Sequence, residues 1–473
     1  MSHKSRSSKK SYNRKNRCES SSDSCEEHYG SRRDHCNKSK CDCEPTPINH
    51  VPYTITKSGR YCVAKNLTYN GVEAAITIAT NDVSIDLNFH KLLLTSGAAT
   101  GILVQNPTID ELLQNIEILN GTIGLTQGTL PIAATSIAIS LNNVVKAHVD
   151  NVLTHNTFRG IVGVLSSSIL IENSTQVNHT NNPDNLLASA QSIRMLNSNN
   201  IIIKNDNVSA VQNTLISTSN VVGFVFIGTS NVIIEDVNMI DIDIGIGAIL
   251  SDNLNIDKLN VELSPLSNAS FMQLGAGGGT PCTNTIIRNS NFISRPTEPT
   301  AVGLDGLYLI EGKNLLIENV VILTKSTPFE AGIIAGAIHI GSSPNIFTDV
   351  KIINTVVSGS NVDAIVVELG SNITLDNVVV SEALENNIRL INARNVTIKN
   401  SDIQAGTTNG INVEVGSQCN TISNTNIRDN GLGLLISGNN NITRDSNIYC
   451  NTTNIKDIGL NNQFVNNTVL VAV

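Results

Sequence analysis

The sequence predicts an all-β chain: a right-handed, single-stranded parallel β-helix (a solenoid) of about fifteen coils behind a disordered N-terminal tail. Three observations lead there. A nine-residue pattern, Asn-φ-x-φ-x-Asn-x-x-φ with φ aliphatic, recurs along the body. A glycine followed by an alternating apolar run precedes most copies. The composition holds 64 asparagines and 33 glycines, with 3% aromatics and no tryptophan. Such a chain suits short aliphatic strands, because β-branched residues pack on pleated surfaces and Asn and Gly accept the left-handed backbone of tight turns. At 473 residues the chain exceeds one ordinary core, so it is either several domains or a repeat array, and the repeat selects the array.

Residues 1–48 form the expected tail. Seven Lys or Arg and no acid fall within residues 1–17. Residues 1–50 hold eleven basic and seven acidic side chains, which leaves 20 basic and 33 acidic in the remainder, a net charge of −13. An acidic body disfavours nucleic acid and anionic membrane, so no specific nucleic-acid partner is expected, and the basic tail is read as solvated disorder. No run approaches the ~18 apolar residues of a membrane span, so no transmembrane anchor is expected. No apolar h-region follows the N-terminus, so there is no classical signal peptide, and packaging into a particle is the expected route outward. Five of the nine cysteines lie in the tail. Cys36, Cys41 and Cys43 are candidate metal ligands, although Cys-x4-Cys-x-Cys departs from zinc spacings. Disulfide cross-linking and free thiols are the alternatives. Cys62, Cys282, Cys419 and Cys450 are scattered and suggest no framework.

Residues 49–473 form the expected β-helix domain. Clear copies of the pattern start at Asn115, Asn200, Asn284, Asn314, Asn372 and Asn395. Looser copies start at Asp82, Lys146, Ser168, Asn231, Asn253, Asp349, Cys419, Asn441 and Asn462. Successive starts lie 21 to 35 residues apart, near 22 or near 31. The shorter period fits one coil with tight turns, and the longer period fits the same coil with an extended loop. One such coil cannot bury its apolar face. Stacked coils can, pairing at ~4.8 Å, and fifteen of them make a rod roughly 70 Å long.

In-register stacking turns each pattern position into a row. The fourth position is a core row, from Ile85, Ile118 and Val149 through Ile287 and Ile352 to Ile422. The sixth is an asparagine row at a turn: Asn120, Asn151, Asn173, Asn205, Asn289, Asn319, Asn354, Asn377, Asn400, Asn424 and Asn467. The fifth alternates in sign along Glu172, Lys204 and Glu235, along Asp257, Arg288 and Glu318, and along Asp376 and Lys399. An exposed charge ladder of that kind contributes a few tenths of a kcal/mol per pair.

Chemistry has several candidate places. Asp241 and Asp243 alternate along one strand and are expected on one side of it, as a carboxylate pair, a calcium site or a polar strand edge. Glu368 and Glu414 take similar strand positions two coils apart, with Arg389 in the coil between, and this trio is the first catalytic candidate. Residues 264–305 are irregular and rich in Gly and Pro, so they are expected to shape a groove with Asp305, Tyr308, Glu311 and His339.

The repeats resemble those of the pectin-lyase-like parallel β-helix superfamily. The segment Ser84-Ile-Asp-Leu-Asn-Phe-His-Lys-Leu92 looks like the opening segment of such helices, with Phe89 where Gly is usual. The resemblance covers about residues 50–470. It is specific for fold and weak for activity, since the superfamily includes lyases, glycoside hydrolases, epimerases, phage tailspikes and non-enzymatic surface proteins. The hydrolase motifs Asn-Thr-Asp, Asp-Asp, Gly-His-Gly and Arg-Ile-Lys are absent from the chain. The lyase pattern would imply calcium, with an arginine such as Arg389 as base. Composition and tail also resemble surface or virion proteins, including those of large DNA viruses. The expected function is therefore a structural or adhesive surface rod, non-enzymatic, held by its tail and contacting polysaccharide or particle (capsid) surface proteins. A polysaccharide lyase or glycoside hydrolase is the alternative. A homotrimer along the rod is compatible with the exposed strands.

Overall fold

The computed structural model describes residues 45–108, 111–126, 135–177, 190–210, 221–264, 270–276, 279, 281–294, 306–324, 336–360 and 362–470. The tail cysteines Cys36, Cys41 and Cys43 lie outside the described residues, as does Asp305. Regular structure among the described residues is entirely strand. No helix among them is long and apolar enough to cross a membrane.

Each coil holds three strand segments, and equivalent segments of successive coils pair in parallel to form three faces. The chain winds as a right-handed parallel β-helix, the hand that parallel crossovers take. Face 1 runs from Tyr53–Ile55 and Ala74–Ile78 to Thr453–Asp457 and is a 16-stranded sheet, one coil more than the fifteen expected. Faces 2 and 3 form one 29-stranded sheet. They are continuous because Leu113–Leu125, Val144–His155, Ser230–Ile242 and Asp252–Leu263 run through the turn between them. The first strand, Thr46–Ile48, pairs with Gly59–Val63 on face 2, so pairing begins ahead of residue 49.

The expected core row is the inward side of face 2. Ile85, Ile118, Val149, Ile287 and Ile352 are wholly buried. Face 1 supplies a second row, with Ile76, Ile102, Ile139, Ile161 and Ile193 in register and buried. The asparagine row turns the chain from face 2 to face 3. From Asn120 to Asn424 these residues have φ between 48° and 56°, the left-handed region that Asn tolerates better than other side chains. Their amides bond from coil to coil, as Asn319 Nδ2 does to Asn289 Oδ1 at 3.2 Å and Asn377 Nδ2 to Asn354 Oδ1 at 2.8 Å. The first pattern position is a second left-handed row, at the turn from face 1 to face 2. Asn173 and Asn395 head glycosylation-type triplets; Asn173 Oδ1 accepts from Asn205 Nδ2 within one row, and Asn395 Nδ2 donates to Asn372 within the other.

Several of the glycines ahead of face 1 strands mark the corner where the chain arrives from face 3. A Cβ on Gly101 would lie 2.6 Å from Ala138 O, and one on Gly306 would lie 2.3 Å from Ala337 O. Gly336 and Gly431 sit just before the corner, which Ala337 and Gly433 occupy. The longer periods add their residues between face 3 and face 1, for example between Val177 and Ala190 or between Thr324 and Gly336.

The last two coils are offset by one residue from the expected register. Asn440 and Asn461, not Asn441 and Asn462, hold the left-handed first position. Asp445 and Asn466 hold the sixth, and Asn467 instead accepts a bond from Ser446 N at 3.0 Å. Runs of consecutive asparagines leave the register ambiguous in sequence. In these coils the second position is itself Asn: Asn441 and Asn462 stack there, with Asn441 N donating to Asn462 Oδ1 at 2.9 Å.

Candidate functional site

The outer side of face 1 carries one straight row through Tyr308, His339, Val366, Arg389 and Asn412, each in register with the next. Their neighbours Leu307, Ile338, Ile365, Ile388 and Ile411 point into the core, so this row lies on the outer side of the sheet, where His339 and Val366 are nevertheless buried. The rings of Tyr308 and His339 lie 5.2 Å apart, and the Tyr308 hydroxyl lies 3.0 Å from Ser342 Oγ. His339 Nε2 is 3.3 Å from Glu368 Oε2. Arg389 joins two carboxylates, through Nε to Glu414 Oε1 at 2.7 Å and through Nη1 to Asp363 Oδ2 at 3.3 Å.

The expected trio is therefore repartnered. Glu414 meets Arg389 as expected, but Glu368 pairs with His339, and Asp363 takes its place. The cause lies in the strand Asp363–Glu368. Asp363 stands at its start, before the corner residue Ala364, where an Arg389 one coil later reaches back to it. Glu368 lies in register with Ile391, two residues beyond the Arg389 position.

Asp363 is wholly buried. Burial pushes its carboxyl up to about 6, against the opposing effects of the Asn386 amide and the Arg389 charge. Asn386 donates to Asp363 Oδ1 from both its backbone N, at 3.0 Å, and its Nδ2, at 2.6 Å. Burial works against the Arg389 charge, and the two carboxylates outweigh it, so its pKa rises. The cluster thus holds a carboxyl of raised pKa, closed off from solvent, beside a fixed cation. It does not fit calcium, which takes six to eight oxygen ligands. Here Asp363 and Glu414 are engaged by a guanidinium and Glu368 by an imidazole.

Asp241 and Asp243 do not form a pair on one side of a strand. Asp241 has φ of 58° at a bulge near the end of Ser230–Ile242, which breaks the period of two. Asp243 lies past that strand and accepts a bond from Val221 N at 2.7 Å. Burial raises Asp243 to about 6, while the Val221 bond opposes the shift. Its role is to tie the start of a face 1 strand.

On face 2 the charge ladder forms as expected, with Lys204 Nζ 2.8 Å from Glu172 and Lys399 Nζ 3.0 Å from Asp376. His148, Asp150 and Glu172 gather there in a metal-like set. Lys204 already supplies the cation for Glu172, and Asn173 Nδ2 donates to Asp150 at 2.8 Å.

Three parallel faces, an asparagine row at the turn from face 2 to face 3, and insertions confined largely to the return to face 1 decide the fold. It is a parallel β-helix. Solved structures similar to this β-helix include a double mutant of the tailspike protein of E. coli bacteriophage HK620. That likeness has 11% identity and a TM-score of 0.43, and covers 86% of this chain and 72% of that one. The periplasmic alginate epimerase AlgG matches with 10% identity and a TM-score of 0.34, over 90% of this chain and 86% of that one. DFA-IIIase from Arthrobacter chlorophenolicus A6 without its lid matches with 12% identity and a TM-score of 0.44, over 66% and 83%. No family model and no curated protein matches the chain.

Sequence reasoning missed Asp363 and the His339–Glu368 pair. The signal for Asp363 was a lone acid at the start of an otherwise apolar strand, Asp-Ala-Ile-Val-Val.

Proposed function

We propose that this β-helix is a stiff surface rod that contacts polysaccharide along the outer side of face 1. Residues 1–48 are proposed to attach it to a virion or cell surface. The observation that carries the contact site is the Asp363–Arg389–Glu414 cluster beside His339 and Glu368. Polar groups from four coils converge there. Tyr308, one coil further, adds an aromatic ring of the kind that packs against sugar faces. Arg389 and Glu414 remain partly exposed and present donors and acceptors at a fixed spacing set by the coil repeat.

The test is a panel of acidic and neutral polysaccharides, with binding measured by calorimetry and products by mass spectrometry. Binding without product, weakened at least tenfold by Arg389→Gln, is the expected result. No binding to any member would sink the proposal.

A second reading, a polysaccharide lyase or glycoside hydrolase, is favoured by one feature: the Asp363 carboxyl near 6 is poised to act as an acid or base. In that reading oligosaccharides appear, an unsaturated end group marks a lyase, and Asp363→Asn abolishes the products. If Asp363 acts as the acid, the rate falls as pH climbs above about 6.

A further inference from the structure

The outer side of face 2 gathers an imidazole and two carboxylates across two early coils. His148 and Asp150 stand two residues apart on Val144–His155, and Val149 between them is wholly buried, so both point outward. Asp150 lies in register with Glu172 of the next coil. His148 Nε2 is 2.8 Å from Glu172 Oε1. One ligand atom from each of His148, Asp150 and Glu172 lies within 4.8 Å of the other two.

Each carboxylate is held through one oxygen and open at the other. Lys204 Nζ pairs with Glu172 Oε2 at 2.8 Å, which leaves Oε1 to face the imidazole. Asn173 Nδ2 donates to Asp150 Oδ1 at 2.8 Å, and no donor among the described residues reaches Oδ2. The Lys204 bond keeps the Glu172 carboxyl below its ordinary range, against its partial burial, so the group is ionised at neutral pH. Carboxylates that ligate metals are oriented in this way, by a donor on the oxygen that does not face the ion.

The charge ladder also breaks at this point. From Glu172 onward each charge of the row has an opposite charge in a neighbouring coil, as Lys204 has Glu172 and Glu235, and Arg288 has Asp257 and Glu318. Asp150 has none, because it stands between Leu119 and Glu172. Like charges directly opposite one another are destabilising, and a cation between them reverses the sign of the interaction. Glu117, in register with His148 one coil earlier, adds a further carboxylate. An open groove lined by Arg60, Ser84, Glu117 and His148 reaches the imidazole and gives an ion access from solvent.

The ligand types select the ion. One imidazole with two carboxylates suits zinc and neighbouring first-row dications, whereas calcium and magnesium take oxygen ligands in larger number. Metal–ligand distances of about 2.0–2.2 Å set the ligand atoms roughly 3.5 Å apart, so closure needs shifts of about 1 Å in partly exposed side chains. We infer that His148, Asp150 and Glu172 form a site for a zinc-type transition-metal dication that clamps two coils together, with a fourth position open to the groove.

The experiment uses the full chain, stripped with a chelator and with its accessible thiols alkylated so that cysteines do not compete. Calorimetry with zinc chloride is expected to show saturable binding of a single equivalent. His148→Ala, Asp150→Asn and Glu172→Gln should each weaken it by roughly tenfold or more. Asp376→Asn, which removes a carboxylate from the same ladder beside Lys399, should leave it unchanged. Circular dichroism melts without metal confirm that each variant is folded. Cobalt chloride is the second probe. Visible bands without a thiolate charge-transfer band, lost in His148→Ala, are expected of nitrogen and oxygen ligands. Zinc binding that is absent in wild type, or unchanged in His148→Ala and Glu172→Gln, would overturn the site. Displacement of zinc by an equal concentration of calcium would overturn the class of ion.

Discussion

Asp206 occupies a place that several other coils give to a hydroxyl. Directly after the turn from face 2 to face 3, Ser290 and Ser401 each accept a backbone N–H from the previous coil and donate to a carbonyl of their own coil. Asp206 follows Asn205 in the same position and is wholly buried. Burial raises its carboxyl well above the ordinary range, outweighing the backbone donors of Asn207 and Ser174. A raised carboxyl pKa means that the folded state holds the proton more tightly than the unfolded chain does. Stability from this residue is thus present in acid and is lost as pH rises from the ordinary carboxylate range through the folded pKa. Asp206→Ser should raise stability by about 1–3 kcal/mol at pH 8 and by progressively less toward pH 4, read from denaturant melts at both values. A gain that is the same at both pH values would show that Asp206 is not neutralised by burial. In sequence the residue after the turn Asn is a hydroxyl in Ser174, Ser290, Thr355, Ser401 and Thr425, an apolar residue or Gly in other coils, and an acid in Asp206. That the exception is buried to zero exposure needed the structure.

Strands and turns were the most legible level. The pattern placed the core row, the turn asparagines and the sign-alternating ladder, because each depends only on local spacing and in-register stacking. The corner glycines show what spacing leaves out. Gly306 and Gly247 both lie in face 1, yet only Gly306 has a carbonyl, that of Ala337, 2.3 Å from where a Cβ would go. Gly247 points outward into open space. Gly306→Ala should cost about 1–3 kcal/mol as the coils are forced apart. Gly247→Ala should be neutral or stabilise by up to about 1 kcal/mol through the unfolded chain. Thermal melts of the two variants check the contrast, and equal losses would refute the corner assignment. Where a bulge intervenes, spacing misleads: Asp241 and Asp243 looked like neighbours on one side, and the left-handed Asp241 ended that alternation.

At the scale of the molecule, the described residues stack into one continuous core behind the sixteen strands of face 1, from Ile48 and Ile55 at one end to Ile436 and Ile448 near the other. The described strands pair only with those of the coils before and after, as expected of a solenoid whose stability is a sum over neighbours. Deleting residues 1–44, which precede the first paired strand, should leave the melting temperature of the body unchanged. Under the proposed anchoring role the same deletion removes attachment to the particle or cell surface. Normal attachment of the truncated chain would reject that role, and a large drop in melting temperature would show that these residues support the body.

The sequence by itself determined the fold, the period and the rows, because a parallel solenoid maps each repeat position onto the same position one coil away. It also marked the stretch around Arg389 and Glu414 as chemically unusual. Only the tertiary structure decided which side chains meet. Insertions of different lengths return the chain to face 1, and corners and bulges reset the side-chain direction, so residues distant in sequence come into contact. Asp363 rather than Glu368 therefore meets Arg389, and His148 meets Glu172 of the next coil. Those contacts depend on register and burial across coils, two quantities that no local pattern contains.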